Sequence, residues 1–284
     1  MVLKKLLFGI SVAAGMSAIA IDSAAAANLT NVQFNTTDFK TFNYSTITSS
    51  DVNAAKAALE DSDPLTNVEL WTSSEFPTAN VGFSGNLGSH NVTVESVTSA
   101  DWQVFGQQWK TDFLAAYPEI NAVLNQPVPN FGPLTVNNVL DQLVSTGIPR
   151  SGDPNVGAFT LDDATGEFQL DLIGHLDLRP VIQTQGLWTG NTVLDSLVAS
   201  FPREIQISEV AKVTIDNDVH YAYSFNATPT GIVAADDGFS HSGLYSWKYS
   251  PEPTTEKVPE PSAMLGLIAI GGLFAASKRK SQKA

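Results

Sequence analysis

The pattern of apolar and polar positions divides the chain into short alternating runs and a few stretches of helical spacing. From Leu29 to Thr48, Phe, Tyr and Val alternate with Thr and Asn, the period-two signature of extended chain. Ser50 to Glu60 then reads as a short helix with Ser50 as its N-cap. Strands are predicted at Val68 to Thr72, Val81 to Ser84 and Val92 to Val97, the last two joined by the turn-rich Gly85 to Asn91.

The strongest helix is predicted from Asp101 to Tyr117. Trp102, Phe105, Trp109 and Phe113 recur there at spacings of three and four, with Pro118 closing it and Asp101, Gln108, Lys110 and Asp112 assigned to solvent. An aromatic stripe of this spacing is expected to be core rather than a sugar-stacking platform. Gln126 to Pro133 reads as a break and a candidate sub-domain boundary. Val136, Val139, Leu140 and Leu143 then mark a second helix stopped by Gly147.

Gly157 to Leu178 is the clearest hairpin, with its turn at Asp162 to Gly166. A further helix is predicted from Asn191 to Phe201, capped by Asn191. An antiparallel pair follows at Val210 to Ile215 and His220 to Phe225, and a last strand at Gly243 to Tyr249. Hairpins interspersed with a few helices, and no repeat of twenty to fifty residues, predict an α+β fold of antiparallel sheet with packed helices.

The two ends differ from the middle. Lys4 and Lys5 precede an apolar stretch from Leu6 to Ile21 and small residues at Ala25 to Ala27, the order of a signal peptide cleaved between Ala27 and Asn28. At the other end Pro259, Glu260 and Pro261 precede a fifteen-residue apolar run, Ser262 to Ala276, and then Lys278, Arg279 and Lys280. As a helix that run covers about 22 Å against a hydrocarbon core of about 30 Å, a marginal span suited to a temporary hold. Basic residues favour the cytoplasmic side, so both ends point inward and the middle of the chain is expected outside.

The triplet, the apolar run and the basic cluster together resemble the PEP-CTERM sorting signal of Gram-negative bacteria. The resemblance covers only about the last 27 residues. It implies a membrane-embedded exosortase as a processing partner, beside the signal peptidase that the N-terminal pattern calls for, with the tail resident in the inner membrane only transiently. It also implies a final location at the cell envelope, cell surface or outside, in association with exopolysaccharide and biofilm matrix. The expected organisation is a signal peptide (1–27), an exported domain (28–249), a Pro-rich stalk (250–261) and a sorting helix with basic tail (262–284).

Charge narrows the partners. From Asn28 to Lys257 there are nine Lys and Arg against twenty-seven Asp and Glu, a net charge of −18, because six of the fifteen basic residues lie in the two ends. Nucleic acid is excluded as a ligand by the lack of clustered basic residues. The chain has no Cys, which excludes disulfides, thiolate metal sites and Cys nucleophiles.

Candidate chemistry is sparse. Ser240 and His241 lie near a G-x-S-x-G spacing that fails by one place, and as neighbours in extended chain they point apart. His175 and Asp177 would share one face of a strand, the geometry of a base or metal pair, without an identifiable third ligand among His90, His220 and His241. Asp162, Asp163 and Glu167 crowd one turn, and Asp216, Asp218, Asp236 and Asp237 crowd two others. These carboxylates could take calcium but lack the EF-hand spacing, and Asp favours turns without any ligand. No catalytic residue and no cofactor is assigned. The expected function is a non-catalytic exported surface or matrix protein of binding or structural type, the alternative being an exported hydrolase of polysaccharide or ester.

Overall fold

The computed structural model describes residues 26–251, apart from 45, 50, 74–76, 128–132, 149, 187–190 and 236. All but the last two residues of the segment expected to be a signal peptide (1–27), most of the Pro-rich stretch 250–261 with its triplet Pro259-Glu260-Pro261, the apolar run and the basic cluster lie outside the described residues. Among the described residues no helix is long and apolar enough to cross a membrane.

The fold is α+β, with twelve strands joined in one curled antiparallel sheet and six helices among the described residues. In chain order the elements are β1 (Ala27–Phe34), β2 (Phe39–Asn43), β3 (Thr46–Ser49), α1 (Val52–Glu60), β4 (Thr66–Leu70), β5 (Gly82–Leu87) and β6 (His90–Glu95). Then come α2 (Ser99–Ala116), α3 (Pro118–Asn121), α4 (Val136–Thr146), β7 (Asn155–Asp162) and β8 (Glu167–Gly174). The chain finishes with α5 (Leu178–Gln185), α6 (Thr192–Ala199), β9 (Ala211–Ile215), β10 (Asp218–Ala222), β11 (Thr228–Pro229) and β12 (Gly243–Tyr249).

The sheet curls because β1 changes partner partway along. Its first two residues pair with β7, Ala27 with Leu161 and Asn28 with Thr160, and from Leu29 onward it pairs with β5. The same edge of β7 holds β4 at its other end, through Val68 and Val156. Helix α1 packs against β1, β2, β4 and β7. The small buried Ala55 and Ala58 let it sit close to the sheet, and Leu59 fills the core beneath. Asp51 caps this helix by accepting from the amides of Asn53 and Ala54, so the cap falls one residue later than the expected Ser50.

Curling brings β6, β9 and β10 over β7, β8 and β12, and His90 meets Phe168 while His220 meets Tyr249 across the gap. Between them lies the first core, with Val92, Val94, Val213 and Ile215 from one side and Phe159, Phe168, Leu170 and Tyr245 from the other. A cross-strand row runs from Ala27 to Leu161 to Phe168 to Tyr249. The first and last strand residues of the body therefore share one end of the sheet, about 14 Å apart at the usual strand spacing.

The second core is helical. Trp102, Phe105, Trp109 and Phe113 on α2 are all buried, packed with Val139, Leu140 and Val144 of α4 and with Tyr221, Tyr223 and Phe225 at the β10 end. Thr98 and Asp101 start α2 with a reciprocal capping box. At Gly106 the two helices nearly touch, since a Cβ there would lie 2.4 Å from the Val144 carbonyl oxygen. Gly147 ends α4 at φ +95°, a conformation that favours glycine, and lies against the Trp102 ring.

Two expectations about α2 are corrected. Asp101 and Lys110 do not face solvent: both are buried, Asp101 in a polar network and Lys110 between Asn137 and Asp141 of α4. Pro118 does not merely close the helix but opens the single turn of α3.

Because Trp109 is 2% exposed and touches Trp102, Phe113 and Phe225, its truncation leaves a void that the surrounding rings cannot fill. Trp109→Ala is expected to cost about 3 to 5 kcal/mol in urea unfolding. A loss below about 1 kcal/mol would mean that the ring is not part of the core.

Candidate functional site

The four histidines go to three separate places. His90 sits at the start of β6, with Nδ1 2.5 Å from the carboxylate of Asp216. Asp216 also accepts from the amide of Asn91, so this pair ties the β9–β10 turn to β6. The hydrogen bond from His90, then that from the Asn91 amide, holds the Asp216 carboxyl below its usual value. His220 lies at the open edge of the sandwich, its ring 4.0 Å from that of Tyr249 and 6.0 Å from that of Trp247.

His175 and His241 come together beside the loop between β11 and β12. His241 is 1% exposed, edge-on to Phe42 at 4.4 Å, with Nδ1 3.2 Å from the carbonyl oxygen of Tyr44. His175 lies among Asp237, His241 and Arg150. Burial outweighs the attraction of Asp237 and, with the Arg150 guanidinium nearby, pushes the His175 imidazole down to about 4. It is therefore neutral in the folded protein at ordinary pH.

The candidate His175–Asp177 pair does not form. The hairpin ends at Gly174 rather than continuing to Leu178, and Asp177 instead caps α5. Its carboxylate accepts from the backbone amide and guanidinium of Arg179 and from the amide of Ile205.

Ser240 is likewise held in a structural role. Its amide and that of Phe239 donate to Asp237, and its carbonyl accepts from Ala234. Ser242, next to His241, receives the Leu176 amide on its hydroxyl and donates to the carbonyl of Phe239. These bonds fasten the loop over the two imidazoles.

The crowded acids behave as turn residues. Asp162 accepts from the amides of Ala164 and Thr165 at the β7–β8 turn, and those bonds lower its pKa. Glu167 pairs with Lys248. Asp163 and Asp218 flank the same end of the sheet, and Asp236 lies outside the described residues. Among the described residues no three His, Asp or Glu side chains converge to hold a metal.

One buried polar cluster joins the two cores, and sequence spacing does not reveal it. Asp101 receives hydrogen bonds from Asn80, from the amide and hydroxyl of Thr98 and from Tyr221, and its carboxylate is 3.1 Å from Lys212. Burial alone would raise its pKa, but these donors overcome it and hold the carboxyl at about 2. Tyr221 is pushed up to about 12, by burial first and then by the Asp101 charge.

The helical half carries a small apolar cavity and a wider open recess. An apolar cavity of about 30 Å³ lies in the helical core, lined by Trp109, Phe113, Val136, Leu140, Val198 and neighbours. That is roughly twice the least space that holds a water, too little for a substrate. An open recess of about 280 Å³ between α5 and α6 is lined by Ile182, Gln183, Thr192, Asp195 and Ser196. Its described lining carries one carboxylate, where a glycosidase needs two across the cleft. No protein-family model, no curated protein and no solved structure matches the chain.

The state of His175 has a measurable consequence. Between pH 6.5 and about 4 the unfolded chain binds a proton at this residue that the folded chain does not. Stability is then fully present above pH 6.5 and declines as the pH falls through that window, by roughly 3 kcal/mol in total from this group. Urea unfolding of His175→Asn at pH 7 and pH 4 is expected to show a smaller acid loss than the parent. An identical acid loss in both proteins would refute the depressed imidazole of His175.

Proposed function

We propose that the protein is exported across the inner membrane of a Gram-negative bacterium and sorted by a PEP-CTERM signal to the cell surface or extracellular matrix, where its body acts as a non-catalytic binding or structural module. The observation that carries this reading is the order of the Pro259-Glu260-Pro261 triplet, the apolar run and the Lys278-Arg279-Lys280 cluster after the last strand of the body. Strand pairing begins at Ala27, where the small-residue run ends, and finishes at Tyr249, one residue before the Pro-rich segment. Both limits fall at one end of the sheet, which suits a body held at both ends by segments in the same membrane.

The roles of the reactive side chains support the non-catalytic part. His90, Asp177, Ser240, His241, Asp216 and Asp237 each fasten a turn, a cap or a loop. The resemblance carries the processing roles of Pro259, Glu260 and Pro261 as the recognition triplet and Lys278, Arg279 and Lys280 as the cytoplasmic stop, while the N-terminal order of basic, apolar and small residues makes Ala27 the last residue of the signal peptide. The charge of −18 favours neutral glycans or cations over anionic polymers as contacts of the mature body.

The test is Glu260→Ala. The variant is expected to be exported but to remain in the inner membrane with its tail uncut, seen as a higher intact mass in the membrane fraction. A mature mass and location identical to the parent would refute the sorting assignment.

A further inference from the structure

The bond that the signal reading assigns to signal peptidase is built into the sheet. Ala27 pairs with Leu161 and Asn28 with Thr160, and these are the two pairs that join β1 to β7. One residue on, Leu29 pairs with Leu87 along the opposite edge of β1 and is 1% exposed within the sandwich core. Ala27 itself packs against that core.

A peptidase holds its substrate as an extended strand, through backbone groups on both sides of the scissile bond. In the folded body β7 and β5 already hold those groups. Freeing the bond means peeling Ala27 through at least Leu29 from the sheet. Fraying of the first two residues is easy, but removing Leu29 exposes a core side chain to water.

We infer that the Ala27–Asn28 bond is open to signal peptidase only before β1 docks, so that signal removal and folding of this body compete, and a precursor that folds first keeps its signal peptide. This rests on the signal-peptide reading above. The two ends of the chain differ in this respect. Nine residues, 250–258, separate Tyr249 from the Pro-Glu-Pro triplet, whereas no residue separates the Ala27–Asn28 bond from the first strand.

The experiment uses the full-length precursor in detergent, treated with signal peptidase in its native state and after unfolding in urea. A second protein carries about ten Gly and Ser residues inserted between Ala27 and Asn28, which moves the cleavage site clear of the sheet. A short peptide covering the cleavage site corrects for the effect of urea on the enzyme, and intact mass reports both rate and position. The native parent is expected to be cut at least tenfold more slowly than the native insertion variant, and the unfolded parent as fast as that variant. Equal rates for the two native proteins would overturn the inference. So would a cut upstream of Ala27, since that bond lies outside the ladder. Absence of cleavage in every form, the unfolded parent included, would remove the signal-peptide reading itself.

Discussion

Strands β9 and β10 serve two cores at once, and the rest of the body depends on that shared use. Ala211, Val213, Ile215 and Ala222 point into the sandwich, while Lys212 and Tyr221, the residues between them, reach α2 on the other side. The ring of Tyr221 stacks on Phe105 at 4.3 Å and its hydroxyl meets Asp101. A strand residue thus alternates between apolar packing on one face and a buried polar contact on the other. Strand periodicity couples the two halves without a disulfide, which a chain lacking Cys cannot form.

The Asp101 cluster is the costly part of that coupling. A buried carboxylate is tolerated only where donors surround it, and here Asn80, Thr98, Tyr221 and Lys212 come from four separate stretches of chain. The same residue completes the capping box that starts α2. The start of the aromatic helix, its position on the sheet and the ionisation of Asp101 are therefore one arrangement. The His175 and His241 loop performs a similar task at the sandwich, where the two imidazoles fill space beneath a hydrogen-bonded cover.

Much of the local structure was legible in the sequence. The aromatic spacing of α2, the stop at Gly147 and the last strand from Gly243 to Tyr249 follow from period and turn chemistry, and they stand where the pattern puts them. Helix α5 was not legible. The alternation of His175, Leu176 and Asp177 suggests continuing strand, whereas Asp177 is a cap whose partners include the distant Ile205. Asp101 and Lys110 were assigned to solvent because helical periodicity distinguishes faces by hydrophobicity, and a buried charge is recognised only by partners brought in through tertiary structure. The row from Ala27 to Tyr249 is equally hidden, being set by three long-range pairings. Of the candidate chemistry, the sequence supplied the residues, and the fold dispersed them into turns, caps and loop anchors.

If β9 and β10 bind the sandwich and the helical half into one body, the two cores unfold together. Trp102 and Trp109 report on the helical core and Trp247 on the sandwich edge. Urea unfolding followed through single-tryptophan variants, with hydrogen exchange at the amides of α2 and β8 as a second probe, should give the same midpoint for both halves. A helical half that melts first and leaves the β7–β8–β12 pairing protected would contradict the coupling and restore a domain boundary near residues 126–133.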